Sequence, residues 1–251
     1  MNNLNNEIFI PEDDNQTAIS IKNLSKYYNK SMALSNVNLT LKKGSVMGLL
    51  GSNGSGKTTL LKILANVLKQ DSGEVYIYGQ TPSIYTKSIV SFLPDRQFIY
   101  DYFTVNDAVA FYKDFFNDFN EDKVQNLISF MKIDRNKKIN ELSKGNREKL
   151  HLAMVLSRDA KLYLLDEPIA GVDPVARDQI LDAILENVNE NATMLITTHL
   201  IHDIERVFDS VSFIHEGKIK LTDTVENLMN KYDNISIDNI YKKLFGGDYY
   251  A

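Results

Sequence analysis

The fold of this chain is decided by the stretch Gly51-Ser52-Asn53-Gly54-Ser55-Gly56-Lys57-Thr58-Thr59. It fits the phosphate-loop pattern G-x-x-x-x-G-K-[ST] at every position. The mostly apolar residues 46–50 before it predict a buried strand, and the leucines after it recur at helical spacing, which predicts a helix that begins near Lys57. Strand, glycine loop and helix therefore follow one another in the order that a nucleotide phosphate site requires.

The residue types of this loop explain how it would hold a phosphate. The glycines let the backbone curl so that successive N–H groups point at one anion, and the positive end of the helix dipole adds to the attraction. We expect Lys57 to reach the β- and γ-phosphates and the hydroxyl of Thr58 to ligate Mg²⁺. The whole stretch is therefore predicted to bind a nucleotide.

Length and composition limit the class of protein. The chain has 251 residues, of which 43% are hydrophobic, which suits an α/β domain with a sizeable core. Its net charge of −5 provides no basic surface of the kind that nucleic acid requires, so no nucleic-acid partner is predicted. There is no cysteine, which excludes a disulfide framework. No run approaches the roughly 18 apolar residues of a membrane-spanning helix.

The N-terminal part predicts an antiparallel layer. Residues 1–17 are polar and lack periodicity, so we interpret them as a disordered leader. Residues 18–24 and 32–41 alternate apolar and polar side chains, which favours two half-buried antiparallel strands joined by a turn at residues 26–29. A third short strand is predicted at residues 74–79. These strands are expected beside the nucleotide site.

The later part predicts a parallel sheet. Residues 162–165, 193–197 and 210–214 are apolar runs separated by helical patterns, which is typical of parallel strands with helical crossovers. The fold class is therefore α/β, with a mostly parallel sheet around the phosphate loop, an antiparallel layer and an inserted helical subdomain at about residues 95–158. Residues 225–251 read as a short helical tail, and the nucleotide-binding domain would span residues 18–224.

The predicted helical insertion contains a clear helix start. Thr104 begins a helix with Asp107 as its capping partner, and further helices are predicted from near Val124 and from near Ser143. We interpret its aromatic cluster as core, and the alternative is that it lines a groove for a partner. The cluster comprises Phe111, Phe115, Phe116 and Phe119.

Two adjacent acids follow the predicted strand at residues 162–165. Ligands bind at the carboxyl ends of strands in open α/β sheets, which is where Asp166 and Glu167 would lie. We assign Asp166 to the metal and Glu167 to the water that attacks the nucleotide. The other interpretation, a surface turn, explains two acids after four apolar residues poorly.

Three further motifs make a resemblance to a known family specific. Leu142-Ser143-Lys144-Gly145-Asn146 lies between the phosphate loop and the acidic pair, Ala170-Gly171-Val172-Asp173 follows that pair, and His199 follows Ile196-Thr197-Thr198. They resemble the signature (usually L-S-G-G-Q), the D-loop and the switch histidine of ATP-binding subunits of ABC transporters. A phosphate loop alone would fit many unrelated NTPases, whereas five motifs in family order, over about residues 18–224, are specific.

The resemblance implies that two nucleotide-binding subunits pair head to tail around ATP. Each ATP would lie between the phosphate loop of one subunit and Ser143, Lys144 and Gly145 of the other, with Asp173 at the seam. These signature residues would open a helix, whose N-terminus suits an anion. Homodimer and heterodimer are both compatible with the motifs.

The resemblance also implies catalytic and base-contacting residues. Glu167 would activate water, His199 would contact the γ-phosphate and help to position that water, and Lys57 would complete the catalytic set. Tyr28 matches the aromatic residue that stacks on adenine, and the adjacent Tyr27 is the weaker candidate. Because stacking tolerates base identity, ATP as the nucleotide is implied by the resemblance alone.

Two positions depart from the family pattern. Asp95 stands where the family usually has Gln, and because a carboxylate can hold Mg²⁺ through water, we expect it to be a metal ligand with Thr58 and Asp166. In the signature, Lys144 replaces a glycine and Asn146 replaces a glutamine. Lys144 would add positive charge near the γ-phosphate. Such signatures resemble those of bacterial exporters of drugs, antimicrobial peptides or lipids.

The resemblance as a whole implies an Mg-ATP-hydrolysing subunit that drives a separate membrane permease from the cytoplasmic face of the cell membrane. The alternative is a soluble single-domain ABC ATPase that acts on another assembly. A catalytically silent module is disfavoured because Lys57, Asp166, Glu167 and His199 are intact. In this family the permease lines the transport path, so these motifs do not specify the substrate.

Overall fold

A computed structural model describes residues 16–187 and 192–245. The predicted leader falls almost wholly on residues 1–15, which lie outside the described residues, as does the end of the predicted tail, residues 246–251. The described strands are β1 Thr17–Tyr28, β2 Ser31–Lys42, β3 Val46–Leu50, β4 Ser72–Ile77, β5 Val90–Leu93, β6 Leu162–Asp166, β7 Thr193–Thr198, β8 Ser210–His215 and β9 Lys218–Thr224. The described α-helices are α1 Lys57–Leu64, α2 Ile84–Ile89, α3 Val105–Phe115, α4 Glu121–Phe130, α5 Lys144–Leu156, α6 Pro174–Asn187, α7 Ile201–Ile204, α8 Val225–Lys231 and α9 Ile237–Phe245.

The antiparallel layer is a three-stranded sheet in the order β2-β1-β4. Its strands pair as the alternation predicts, with Ile21 opposite Leu39 in β1 and β2. The predicted turn at residues 26–29 is wrong in its bounds, because β1 continues through Tyr28 and pairs Tyr28 with Ser31. The chain reverses at Asn29, whose φ of 54° suits the left-handed region that asparagine tolerates. Both tyrosines therefore lie at the end of a strand.

The larger sheet has six strands in the order β5-β6-β7-β3-β8-β9. The first five are parallel, and β9 returns antiparallel to β8. The predicted α/β class with a mostly parallel sheet is confirmed. In register, Leu50 pairs with Thr198 and Asp166 pairs with Thr197. The carboxyl ends of β3, β6 and β7 therefore meet at one edge, with the phosphate loop, the acidic pair and His199 directly after them.

The five parallel strands of this sheet are mostly buried on both faces, as parallel strands usually are, whereas the antiparallel edge strand β9 is partly exposed. Successive side chains of β6 alternate between two hydrophobic cores, as the pleat of a strand requires. Leu162 and Leu164 belong to the core shared with α1 and the antiparallel sheet, whereas Tyr163 and Leu165 belong to the core shared with α3 to α6. No helix among the described residues has the length and apolarity to cross a membrane.

The predicted helix start at Thr104 is confirmed in atomic detail. The N–H of Asp107 donates to Thr104 Oγ1 (3.1 Å), and the N–H of Thr104 donates to Asp107 Oδ2 (2.9 Å), so each residue caps the other. Ser143 likewise precedes α5 and accepts a hydrogen bond from the N–H of Asn146 (3.3 Å). Short polar side chains at these positions satisfy N–H groups that a helix start leaves free.

One expectation for the helical insertion is wrong, and two short elements before it were missed. Neither α2 nor β5 was predicted, since elements of six and four residues are too short to show a periodic pattern. Phe111 and Phe115 are not core residues: their side chains are 42% and 69% exposed. The inward stripe of α3 instead runs through Val105, Ala108 and Tyr112, at the spacing that keeps residues on one helix face. Phe116 and Phe119 are partly buried against the core.

Candidate functional site

The phosphate loop connects β3 to α1 with a backbone that only glycine adopts easily. Gly54 and Gly56 have φ angles of 80° and 109°, in the left-handed region. A Cβ on Gly56 would lie 2.7 Å from the carbonyl oxygen of Ala33, and a Cβ on Gly51 would lie 2.3 Å from that of Ile214. A side chain at 56 is therefore excluded both by the left-handed backbone and by Ala33, and a side chain at 51 is excluded by Ile214.

Lys57 is the first residue of α1 and is almost fully buried. Its Nζ donates to the carbonyl oxygens of Gly51 (2.7 Å) and Ser52 (3.1 Å) and lies 3.2 Å from Oε1 of Glu167. The ammonium is thus folded back over the loop. An ammonium in this position can exchange the carboxylate for a phosphate oxygen, since both are anionic acceptors.

A cavity of about 450 Å³ opens over the loop. Nine of the residues that line it belong to the predicted site, and the tenth, Ala33 of β2, was missed. Sequence reasoning had no signal for Ala33, because a small apolar residue in a strand carries no chemistry. The lining residues are Tyr28, Ala33, Asn53, Gly54, Gly56, Lys57, Thr58, Thr59, Asp95 and Glu167.

Asp166 ends β6 behind the cavity and is 1% exposed. Its Oδ1 accepts a hydrogen bond from Thr197 Oγ1 (2.6 Å). Burial raises the pKa of Asp166, the hydroxyls of Thr197 and Thr58 lower it, and the charges of Asp95 and Glu167 raise it further. Asp166 therefore lies close to Thr58 and within the field of two other carboxylates.

These oxygens fit a hard divalent cation. Mg²⁺ prefers oxygen ligands and is usually held by one or two carboxylates together with nucleotide phosphates. Thr58 and Asp95 line the cavity and both interact with the buried Asp166, so the three residues supply a hydroxyl and two carboxylates close together. Among the described residues no group of three or more acidic or histidine side chains forms a metal cage. A cation here would therefore depend on the nucleotide for the rest of its ligands.

Glu167 is fixed by contacts of its backbone N–H and of both its carboxylate oxygens. Its φ of 52° is unusual for a residue other than glycine, and its N–H donates to the carbonyl oxygen and to Oγ1 of Thr197 (both 3.1 Å). Its Oε2 accepts a hydrogen bond from the backbone N–H of His199 (3.3 Å) and lies 2.8 Å from Nδ1 of the same residue. Neighbouring strand ends thus place Lys57, Glu167 and His199 in one chain of contacts.

Thr197 is a second residue that sequence reasoning missed. It contacts both Asp166 and Glu167 and so sets their relative positions. A signal existed, since Thr197 lies two residues before His199 at the end of an apolar run. Its partners, however, belong to a strand about thirty residues earlier, and only the pairing of β6 with β7 brings them together.

The predicted signature residues lie apart from this cavity. Ser143, Lys144, Gly145 and Asp173 are absent from its lining. They are instead close to one another: a Cβ on Gly145 would lie 3.7 Å from Asp173 Oδ2, and Nζ of Lys144 lies 2.4 Å from where a Cβ on Gly171 would stand. Lys144 therefore covers Gly171 of its own chain.

The parallel sheet, the glycine loop and the buried Lys57 at the start of α1 define a P-loop NTPase. Residues 34–170 match the family model described as ABC transporter. The chain therefore belongs to the ABC transporter family, as an ATP-binding subunit, and is an ATPase of the kind that powers transport in that family.

Relatives with similar sequences include two bacterial proteins of comparable length. The chain is 31% identical over 224 residues to the ABC transporter ATP-binding protein YtrB of Bacillus subtilis, covering 87% of this chain and 76% of that protein. It is 30% identical over 222 residues to the lantibiotic transport ATP-binding protein SrtF of Streptococcus pyogenes, covering 86% and 96%. The chain is also 31% identical to ABC transporter G family member 23 of Dictyostelium discoideum. That match covers 92% of this chain but only 34% of the longer relative.

Solved structures share the fold. An ATP-binding subunit of an ABC transporter superposes with a TM-score of 0.81 at 23% identity, covering 91% of this chain and 99% of that one. A dimeric bacterial ABC transporter cassette superposes with a TM-score of 0.72 at 22% identity, covering 82% and 98%. The whole described architecture, and not the phosphate loop alone, is therefore that of an ABC cassette.

Proposed function

We propose that this chain binds and hydrolyses Mg-ATP as a dimer and thereby drives a separate membrane permease that exports a drug, an antimicrobial peptide or a lipid. The chain of contacts from Lys57 through Glu167 to His199, at the wall of a cavity of about 450 Å³, carries this proposal. Lys57 lies within ion-pair distance of Glu167, and Glu167 lies within hydrogen-bond distance of His199, which supports the proposed roles of cation, base and imidazole.

Nucleotide binding would use the lining of the cavity. The N–H groups of the loop would hold the phosphates, assisted by the N-terminal dipole of α1, and Lys57 would contact the β- and γ-phosphates. Tyr28, at the rim, is 47% exposed and so has a free ring face for the adenine. Thr58, Asp95 and Asp166 would hold Mg²⁺, which when bound supplies positive charge that neutralises the phosphates.

Hydrolysis would depend on the placement of Glu167. Its carboxylate lies beside Lys57, so a water on its free side would face the terminal phosphate that Lys57 holds. Glu167 would accept a proton from that water, and His199, which already contacts Oε2, would keep the carboxylate in place and donate toward the γ-phosphate. Thr197 would hold Asp166 and Glu167 in register throughout.

A second subunit would complete each site. Ser143, Lys144 and Gly145 form a helix start that lies outside the cavity lining of their own chain, so their anion-binding groups would serve the nucleotide of the other subunit. Asp173, close to Gly145, would lie at the same seam. The similarity to a cassette solved as a dimer supports this arrangement.

The permease partner and the direction of transport rest on similarity. One relative is named as a lantibiotic transport ATP-binding protein, and the Lys144 signature resembles those of exporters. Since the described residues contain no membrane-spanning helix, another chain would supply the transport path. This subunit would then act at the cytoplasmic face of the cell membrane.

The test is a co-purification from native cells. A tagged Glu167→Gln variant, solubilised from membranes in mild detergent with Mg-ATP, should retain a multi-span permease in near-stoichiometric amount. A tagged Lys57→Ala variant, which cannot hold the phosphates, is the matched control and should retain less. Recovery only from the soluble fraction, with assembly proteins and no permease, would contradict the transport assignment and favour the soluble ATPase.

A further inference from the structure

The turn between β8 and β9 touches the phosphate loop from behind. The N–H of Gly217 donates to the carbonyl oxygen of Ser55 in the loop (3.0 Å), and its own carbonyl oxygen accepts from the N–H of Ser35 in β2 (2.8 Å). We infer that Gly217 is a positioning residue, which holds the phosphate loop in its nucleotide-binding shape. We also infer that α9 supports Gly217 by packing against the opposite face of β8. This inference rests on the proposed role of residues 51–59 as the phosphate site.

The turn has no room to move toward its neighbours. Gly217 has a φ of 71°, and a Cβ there would lie 2.6 Å from the carbonyl oxygen of Ala33. The same oxygen lies 2.7 Å from the position of a Cβ on Gly56. Gly217, Ala33 and Gly56 are thus packed backbone against backbone. Because backbone atoms cannot swing aside as a side chain can, a displacement of the turn would be passed to the loop.

The strand that leads into the turn touches the other end of the loop. The carbonyl oxygen of Ile214 lies 2.3 Å, and its Cγ2 2.9 Å, from where a Cβ on Gly51 would stand. The hairpin therefore contacts the loop near its first glycine and, through Gly217, at Ser55. One contact lies near the start of the loop and the other near its end, so together they restrict the shape of the loop more than either would alone.

The opposite face of β8 packs against the C-terminal helix. Side chains alternate along a strand, so while Ile214 faces the loop, Phe213 and His215 face α9. The ring of Phe213 lies 5.4 Å from that of Tyr241 and 5.8 Å from that of Phe245, and His215 stacks on Phe245 at 5.8 Å. The rings of α9 therefore pack against the face of β8 that points away from the phosphate loop.

The start of α9 is itself fixed by contacts with residues earlier in the chain. The N–H of Ile237 donates to Oε2 of Glu205 (2.8 Å), in the short helical segment after β7. Ile237 and Ile240 are buried in the core. The helix is therefore a fixed support, and a continuous line of contacts runs from α9 through β8 to the phosphate loop.

The chain contains a matched control for Gly217. Gly79 also ends a two-residue hairpin turn, and its φ is 76°. The residue before it, Tyr78, has a φ of 49°, as does Glu216 before Gly217. A Cβ on Gly79 would meet nothing within 4 Å. Gly217→Ala and Gly79→Ala therefore introduce the same left-handed backbone strain, but only the first pushes on Ala33 and the loop.

The measurement is the Kd for a fluorescent ATP analogue, mant-ATP, with Mg²⁺, together with the thermal midpoint of the nucleotide-free protein. We expect Gly217→Ala to raise the Kd by about 10- to 100-fold, since small misplacements of binding groups have effects of this size, while Gly79→Ala leaves it unchanged. Gly217→Ala should also lower the thermal midpoint more than Gly79→Ala, because only its Cβ meets a backbone atom, at 2.6 Å. In ATP hydrolysis, Gly217→Ala should raise KM more than it lowers kcat. Equal Kd values for the two variants would overturn the inference.

The role of α9 has its own pair of variants. Phe245→Ala should raise the Kd severalfold, whereas Phe119→Ala, at another partly buried phenylalanine remote from β8, should lower the thermal midpoint alone. If Phe245→Ala and Phe119→Ala bind mant-ATP with equal Kd values, the inference that α9 supports the phosphate loop is wrong. Wild-type binding that Gly217→Ala does not alter contradicts only the positioning role. Absence of mant-ATP binding by the wild type would instead contradict the proposed function and, with it, the inference.

Discussion

The ammonium of Lys57 lies 3.2 Å from Oε1 of Glu167, while Oε2 of the same carboxylate lies 2.8 Å from Nδ1 of His199. The carboxylate is thus held between two potential cations at the wall of the cavity. If a nucleotide binds as proposed, the ammonium of Lys57 can exchange the carboxylate of Glu167 for a phosphate oxygen. Nucleotide binding would then release Oε1 of Glu167.

Glu167→Gln should bind ATP more tightly and hydrolyse it about 10²- to 10⁴-fold more slowly, because an amide neither competes for Lys57 as an anion nor accepts a proton. Equilibrium binding and steady-state hydrolysis measure the two effects, and sedimentation with Mg-ATP should show an accumulated dimer. Glu226→Gln, at an exposed position, is the control. Normal turnover by Glu167→Gln would remove Glu167 from the role of base.

Tyr28 and Tyr27 form a natural pair for testing adenine stacking. They are 47% and 48% exposed, but only Tyr28 lines the cavity. Tyr28→Ala should raise the Kd for ATP by about tenfold, within the range of stacking on an aromatic ring. Tyr28→Phe should retain affinity, and Tyr27→Ala should bind like the wild type. A larger loss in Tyr27→Ala, by fluorescence titration, would reassign the stacking residue.

Asp95 should make ATP binding unusually dependent on divalent cation. Without Mg²⁺ the phosphates of a bound ATP would face the carboxylates of Asp95 and Glu167, which line the cavity together with Lys57, and the buried Asp166 would add its charge nearby. Asp95→Asn removes one of these charges, so its affinity for ATP in EDTA should exceed that of the wild type, whereas in Mg²⁺ it should not. Calorimetric titration in both buffers measures this difference.

The control for Asp95→Asn is Asp122→Asn, which removes an exposed acid and leaves the net charge the same as in the test variant. It should behave like the wild type in EDTA and in Mg²⁺. If both variants bind metal-free ATP equally, the effect is one of overall charge and not of a carboxylate at the phosphate site.

His151 should cause stability to fall in mild acid. It is 3% exposed, its ring lies 4.6 Å from that of Phe98, and its Nε2 makes no hydrogen bond with the described residues. Burial, and then the charge of Arg147, lower its pKa to about 4, although Asp101 opposes this. Below about pH 6.5 the unfolded chain binds a proton that the folded chain does not, so stability falls as pH drops toward 4.

The test compares urea unfolding at pH 7 and pH 5. His151→Leu, which cannot titrate, should lose less stability between these values than the wild type, and the full effect across the window is roughly 3 kcal/mol. His202→Leu, at an exposed position, should follow the wild type. An unchanged slope in His151→Leu would show that other groups control the acid response.

Arg158 should be among the most sensitive positions for stability. It is 4% exposed, contacts both oxygens of Asp118 (2.9 Å each), donates to the carbonyl oxygens of Val90 (2.7 Å) and Ser88 (2.9 Å), and lies 4.2 Å from the centre of the Phe116 ring. Arg158→Met leaves Asp118 and two carbonyls without this partner, which should cost about 3–5 kcal/mol. Chemical denaturation measures the loss.

The exposed pair Lys113 and Glu121 is the comparison for Arg158. Its atoms are also close, at 2.7 Å, but both side chains are about half-exposed. Water and salt screen such a pair, so Lys113→Met should cost less than about 1 kcal/mol. Similar losses in the two variants would mean that burial does not set the contribution of Arg158.

Local rules made much of the chain predictable. The phosphate loop, the capping pair Thr104 and Asp107, and the acids after β6 each depend on residues within a few positions of one another. Their chemistry is therefore contained in a short stretch of sequence. The same holds for the β-patterns, because alternation and apolar runs report directly on which faces of a strand are buried.

Features that depend on distant neighbours were missed or misjudged. Ala33 carries no signal of its own, and the position of Thr197 before His199 does not identify its partners, which lie on the neighbouring strand. Phe111 and Phe115 were interpreted as core because aromatic residues usually are, but the packing of α3 turned them outward. Neither outcome follows from residue type, since each depends on which surface meets the element.

The α/β class and the phosphate loop follow from the amino-acid pattern alone, and the ordered motifs identify the family. The order of the strands, with β3 between β7 and β8, is visible only in the folded chain. That order brings Glu167 and His199 to Lys57 on one side of the loop and Gly217 to its back. The physical reason is that hydrogen bonding between strands joins segments more than 100 residues apart, and a local pattern contains no information about such pairings.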